Sequence, residues 1–212
     1  MPAENDFRND PLGFMQNNVV YVTIPNDTTG LVDLTIELRN PAAVVSNKPG
    51  YNVFRLRLAK NTDQAPLRAY VCPYQQDTIQ GIMLGNQAQW CFTPTMDGCT
   101  FGIGSQGPGT NGTVLVSHVN TNRSGQAVGE AAGLDGHRQQ QRKMQRNLVR
   151  SQVGMDAVLI EPDTYMTEGG EANKLKSTTF GSHAANGPWT FHTQRYRYSG
   201  NTFFHGGVLN FP

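Results

Sequence analysis

Apolar and polar side chains alternate with a period of two through much of the first half of the chain, and that alternation commits it to sheets. Leu34, Ile36 and Leu38 are interleaved with Asp33, Thr35, Glu37 and Arg39, and Phe54, Leu56 and Leu58 with Arg55 and Arg57. Successive side chains of a strand point to opposite faces, so each run gives one apolar face to bury and one polar face to hydrate. Further strands are predicted over 19–24, 68–72, 81–84, 89–93, 100–104, 113–120, 157–161, 189–198 and 202–209, most of them bounded by Gly, Pro, Asn or Asp. Many short strands, each with a face to cover, imply two packed sheets. One segment departs from this pattern. Residues 135–153 read as a helix capped by Asp135 and stopped by Gly154, with Met144, Leu148, Gln152 and Val153 as its inward stripe. Its Arg138, Arg142, Lys143, Arg146 and Arg150 read as a solvated basic face. The expected fold is α+β: a mixed β-sandwich with flanking helices, one of them long and following the strand that carries His118.

The chain has 212 residues, a length that one core serves by burying roughly 70% of the unfolded surface, so a single domain over 1–212 is expected. A formal net charge of +1 and a pI near 7.8 lack the positive field of a phosphate-backbone binder, and nucleic acid is not expected as a partner. Cys72, Cys91 and Cys99 are an odd set that cannot all pair, which favours a reducing compartment over a disulfide framework. The polar, acidic first ten residues do not read as a secretory signal, and no apolar run reaches the roughly eighteen residues of a membrane span. A soluble monomer made in a cytosol, without membrane attachment, cofactor or metal, is the expectation.

Chemistry concentrates in Thr93-Pro94-Thr95-Met96-Asp97-Gly98-Cys99-Thr100 and in His118, nineteen positions beyond the cysteine (118 − 99). A thiol attacks only as thiolate, and free cysteine titrates near ~8.5, so an imidazole on a neighbouring strand turns an inert side chain into a nucleophile. Gly98 removes a Cβ where the chain turns, and it leaves room for a carbonyl to approach backbone N–H groups that would hold an oxyanion. An unpaired cysteine is otherwise a small buried hydrophobe, which is the reading given to Cys72 and Cys91.

The stretch from Thr93 to Asn120 resembles the catalytic core of the bacterial glutamine deamidase toxins, the group of the Burkholderia lethal factor and the deamidase domain of cytotoxic necrotizing factor. That group carries a Leu-Ser-Gly-Cys turn with a threonine six positions before the cysteine; here Met96-Asp97-Gly98-Cys99 and Thr93 hold those offsets. Leu-Ser has become Met-Asp, and the interval to His118 is lengthened through residues 102–112. The resemblance implies hydrolysis of a glutamine carboxamide to glutamate and ammonia, with Cys99 as nucleophile, His118 as base and Thr93 orienting the ring. It also implies action in a host cytoplasm on a host protein, a helicase of translation initiation or a Rho-type GTPase being candidate targets.

Gly98, Thr100 and Tyr165 are expected to shape the pocket. His137 is the rival base. His183, His192 and His205 lack the short fixed spacing of a zinc site, and the aromatic tail from Trp189 to Phe204 reads as core. Two other functions fit parts of the pattern: a papain-like protease or transglutaminase, and a non-catalytic β-sandwich binding module in which Cys99 is inert.

Overall fold

The computed structural model describes residues 3–39, 45–46, 51–106, 112–121, 133–166, 174–184 and 187–211. The chain begins with two short helices, α1 (Ala3–Asn9) and α2 (Pro11–Asn17). Strands β1 (Asn18–Val22), β2 (Gly30–Leu38), β3 (Val45–Ser46), β4 (Asn52–Leu58) and β5 (Leu67–Val71) follow. Next come β6 (Ile79–Leu84), β7 (Trp90–Phe92), β8 (Thr100–Ile103) and β9 (Val114–Val119), then the long helix α3 (Gly133–Val153). The chain continues with β10 (Val158–Ile160), α4 (Pro162–Tyr165), β11 (Lys176–His183), β12 (Trp189–Ser199) and β13 (Thr202–Phe211).

The strands form two sheets, one of nine strands in the order β1-β4-β2-β5-β7-β11-β12-β13-β3 and one of four in the order β10-β8-β9-β6. The fold is a β-sandwich-like α+β arrangement with helices on both outer faces. Alternation within single strands explains the layering. Trp90 and Phe92 of β7 join the cluster under α1 and α2, while Cys91 between them joins the cluster between the sheets. In the smaller sheet, Phe101, Ile103, Val114 and Val116 face inward, and Val119 packs on the other side against Val149 and Val153 of α3.

On the outer face of the large sheet, Phe7 is fully buried, its ring centroid 5.1 to 6.3 Å from those of Phe14, Trp90, Phe92 and Phe180. An aromatic ring so enclosed contributes on the order of 3 kcal/mol by leaving water. The acidic start of the chain is therefore structural. Buried Glu4 accepts from the Thr35 hydroxyl and from the Ile36 amide, the latter at 2.9 Å, and so pins α1 to β2.

Two expectations about α3 need correction. The helix begins at Gly133, two residues before Asp135 (135 − 133), whose side chain lies outside the described residues. Its inward row is Gln145, Val149 and Val153 with half-buried Leu148, whereas Met144 is 42% exposed. Polar Gln145 turns inward because it meets hydrogen-bonding groups there, described below. The end is as expected: Gly154, at φ +106°, donates its N–H to the Arg150 carbonyl at 3.0 Å and closes the helix. Close approach of α3 to the sheet requires glycine at 102, where a Cβ would lie 2.0 Å from a Val149 methyl.

The sequence pattern missed β11, the most enclosed strand of the large sheet's second half. Its Lys-Ser-Thr-Thr-Phe-Gly-Ser-His run is buried at all but two positions yet carries one large apolar residue, Phe180. Hydroxyls stand in for hydrophobes there by pairing internally, as Thr179 does with Thr193 at 2.9 Å.

Candidate active site

Cys99 stands immediately before β8, on a turn made by Gly98 at φ +86°. That backbone region favours glycine, and nothing lies within 4 Å of where a Cβ would stand, so residue 98 is glycine for its dihedral and not for space. β8 and β9 are antiparallel, with Thr100 opposite Val119 and Phe101 opposite His118. Extending this register by one row sets Cys99 opposite Asn120, and makes Cys99 and His118 diagonal neighbours on the face between the sheets. Such diagonals lie about 7–8 Å apart.

The thiol is engaged by Asn120, whose Nδ2 donates to Sγ at 3.2 Å. His118 is fully enclosed, and among the described residues neither Nδ1 nor Nε2 has a hydrogen-bond partner. Its ring instead meets Tyr74, with centroids 5.4 Å apart, and the edge of Phe101. Burial pushes the Cys99 thiol up to about 11, against the pull of the Asn120 carboxamide and the Asp97 amide, which favour the thiolate. The same burial lowers His118 to about 4. Thiol and imidazole are therefore both neutral at pH 7, and the thiolate–imidazolium pair expected from the sequence is not formed.

Above the turn opens a polar cleft of about 720 Å³, with Asp97, Gly98, Asn120, Tyr74, Gln141 and Gln145 on its walls. Cys99 is 1% exposed and lies under this floor, next to Gly98 and bonded to Asn120. Gln145 builds the floor from below: its Oε1 accepts from Thr100 Oγ1 at 2.8 Å and its Nε2 donates to the Gly98 carbonyl at 3.0 Å. The Tyr165 hydroxyl donates to the Cys99 carbonyl at 2.8 Å. Asp97, which stands where the deamidase turn has serine, pairs with Lys176 at 3.1 Å at the rim and weakly disfavours the thiolate.

The chain matches no protein-family model and no curated protein sequence.

Of the residues expected at the site, Cys99, Gly98 and His118 come together as described. Thr100 turns the other way, toward α3. Tyr165 is fully buried behind the cleft wall and holds the Cys99 turn without facing the cleft. Thr93 lies at the end of β7, where its hydroxyl accepts from the Thr179 amide at 3.1 Å, so its recorded bond ties two strands together and does not orient His118. The His137 side chain lies outside the described residues, as do 107–111 and 125–132 of the glycine-rich stretches. His183, His192 and His205 are hydrogen-bonded along the large sheet, His183 and His205 to backbone carbonyls and His192 to Asn210. Cys72 and Cys91 are free and buried.

Sequence reasoning missed Asn120, Gln145 and Tyr74. Asn120 carried a signal, since the period of two from His118 returns it to the same strand face. Gln145 is a polar residue on an inward helical row, and Tyr74 sits in a loop without any pattern. Among the described residues, no three His, Cys, Asp or Glu side chains gather where they could hold a metal ion, and no helix is long and apolar enough to cross a membrane.

Proposed function

We propose that the chain is a cysteine amidohydrolase of the glutamine deamidase toxin kind, which converts a glutamine side chain of a host protein to glutamate. One observation carries the reading: a cysteine on a left-handed glycine turn, beneath a cleft lined by Asn120, Gln141 and Gln145 among the charged side chains of Asp97, Arg138, Arg142, Asp163 and Lys174, shares a sheet face with a buried histidine whose ring nitrogens are both unengaged among the described residues. The three carboxamides of Asn120, Gln141 and Gln145 suit a carboxamide substrate, because Asn and Gln offer donor and acceptor side by side. A buried imidazole without partners costs roughly 1–3 kcal/mol for each unsatisfied nitrogen, a cost that a proton acceptor waiting for its donor explains.

The chemistry follows from these groups. With substrate seated, the thiol proton passes to His118 as sulfur bonds to the carboxamide carbon, and the oxyanion is met by N–H groups of the turn and of Asn120. The imidazolium protonates the nitrogen as the C–N bond breaks, which releases ammonia and leaves a thioester. Water then gives a proton to His118 and attacks the thioester carbon. As the C–S bond breaks the proton returns to sulfur, and the product is glutamate. Cys99 and His118 lie on a diagonal without a hydrogen bond between them, so a side-chain rotation on substrate entry belongs to the mechanism.

The protease and transglutaminase readings are disfavoured because Cys99 precedes a strand and not a helix. The non-catalytic module is favoured by the enclosure and neutrality of Cys99. The test is intact mass spectrometry of candidate host helicases and GTPases after incubation, with ammonia measured in parallel. The expected result is a gain of about one dalton without cleavage or amine incorporation, abolished by Cys99→Ala and by His118→Ala. Targets left unmodified by the folded chain would support the binding module.

A further inference from the structure

Two clefts meet at Tyr74. Beside the one above Cys99 lies a second of about 550 Å³, bounded by Asn26 and Asp27 of the β1–β2 loop, by Gln75 and Gln76, and by Gln80 of β6; Tyr74 lines both. Gln80 pairs across the small sheet with His118, and His118 with Phe101, so one step across the sheet leads from the catalytic row to the second cleft. The Tyr74 ring stands over His118 at that step, inclined by 51°, and its backbone amide is held by the Asn26 carbonyl at 2.8 Å.

The second cleft has the chemistry of a peptide-backbone site. Among the described residues its one charged side chain is the Asp27 carboxylate, so they offer no cation to a phosphate, while Asn26 and Gln76 present amide donors and acceptors beside Gln75 and Gln80, whose carboxamides bond to each other at 3.0 Å. Beyond Gln80 the feature that selects polypeptide over other polar polymers is β6 itself. It is an outer strand of the small sheet, and among the described residues it pairs only with β9. Along it Met83 is 58% exposed and Ile82 is half-buried. A strand added to such an edge gains main-chain hydrogen bonds, with alternate side chains resting on the apolar positions.

We propose that β6 and the second cleft form a binding track for an extended polypeptide segment, which runs along the sheet edge, crosses Tyr74 and delivers a glutamine side chain into the cleft above Cys99. The identity of the delivered side chain rests on the deamidase reading; the track rests on the clefts and the edge strand.

The experiment uses the full chain carrying Cys99→Ala and a synthetic unstructured peptide with one central glutamine. Hydrogen–deuterium exchange is read over residues 79–84, and affinity by fluorescence anisotropy. Protection of 79–84, with affinity weakened about tenfold by Met83→Arg and by Gln76→Ala, is the expected result. Protection confined to residues 97–120, affinity indifferent to both substitutions, or protection of 79–84 by maltoheptaose but not by the peptide overturns the track. Because binding is read without turnover, the two readings fail separately. A protected edge in a chain that deamidates nothing removes the reaction alone, and deamidation with an unprotected edge removes the track alone.

Discussion

If burial keeps the Cys99 thiol neutral, its reactivity follows a pH dependence fixed by its surroundings. Raising the thiol from 9.0 to about 11 leaves about one molecule in ten thousand ionised at pH 7, about a hundredfold fewer than an unburied thiol would show. Iodoacetamide consumes only thiolate. Its rate on Cys99 is therefore expected to be at least about a hundredfold below that of the same residue in the denatured chain at pH 7, with enclosure slowing it further. The rate should climb about tenfold per pH unit and show no plateau before pH 10. Peptide mapping assigns the label, and Cys72 and Cys91, buried and shifted upward by the same cause, report any unfolding in the same sample. Asn120→Ala removes the N–H that now points at sulfur and is expected to slow labelling further. A rate already flat between pH 6 and pH 8 would mean a preformed thiolate–imidazolium pair and would refute the argument that desolvation outweighs the imidazole.

His118 gives a stability test. Its folded value near 4 against 6.5 when solvated means that only the unfolded chain takes up the proton between those limits, so stability is full above about pH 6.5 and falls by about 3 kcal/mol as pH drops to 4. Urea titrations of His118→Phe should lack that component. If the chain deamidates, kcat/KM should hold level from about pH 5 upward, with its acid limb near 4, whereas a limb near 6.5 would contradict a buried neutral base. Gly98→Ala meets no clash but must hold φ +86°, and a loss of about 1–2 kcal/mol in thermal unfolding is expected, with the turn disturbed at Cys99. Asp97→Asn removes a negative charge beside the thiol and should speed alkylation by about twofold to threefold, an effect that fades in high salt.

What could be read from the sequence divides along a physical line. Period-two alternation located β2 and β4 because one face of each is apolar, and the β8–β9 hairpin because Phe101, Ile103, Val114 and Val116 repeat with the pleat. The Gly98-Cys99 turn was legible because a positive φ selects glycine. Where burial is polar, the pattern is silent. β11 hides the hydroxyls of Thr178 and Thr179 by pairing them, Glu4 goes inside because Thr35 and Ile36 donate to it, and Gln145 displaces Met144 from the inward row because Thr100 and Gly98 need a partner. The same reason hid much of the site. Its sulfur is held by a carboxamide two residues beyond the histidine, and its floor by a glutamine far along the chain, so proximity depends on register and not on sequence distance.

Neutrality of the pair also constrains the order of events. With the thiol near 11 and the imidazole near 4, moving a proton between them is uphill by on the order of 10 kcal/mol before the attraction of the resulting ions is counted. A free thiolate is then too costly to be an intermediate that waits for substrate. In the proposed reaction, proton transfer is therefore coupled to formation of the sulfur–carbon bond, so that negative charge appears on the carboxamide oxygen, where N–H donors can receive it, and not on a buried sulfur. Such coupling makes the thiol inert toward small electrophiles in the cleft yet available to a seated carboxamide. Tyr74, whose ring lies against His118 and which lines both clefts, is the residue that the proposed track crosses on its way to the thiol.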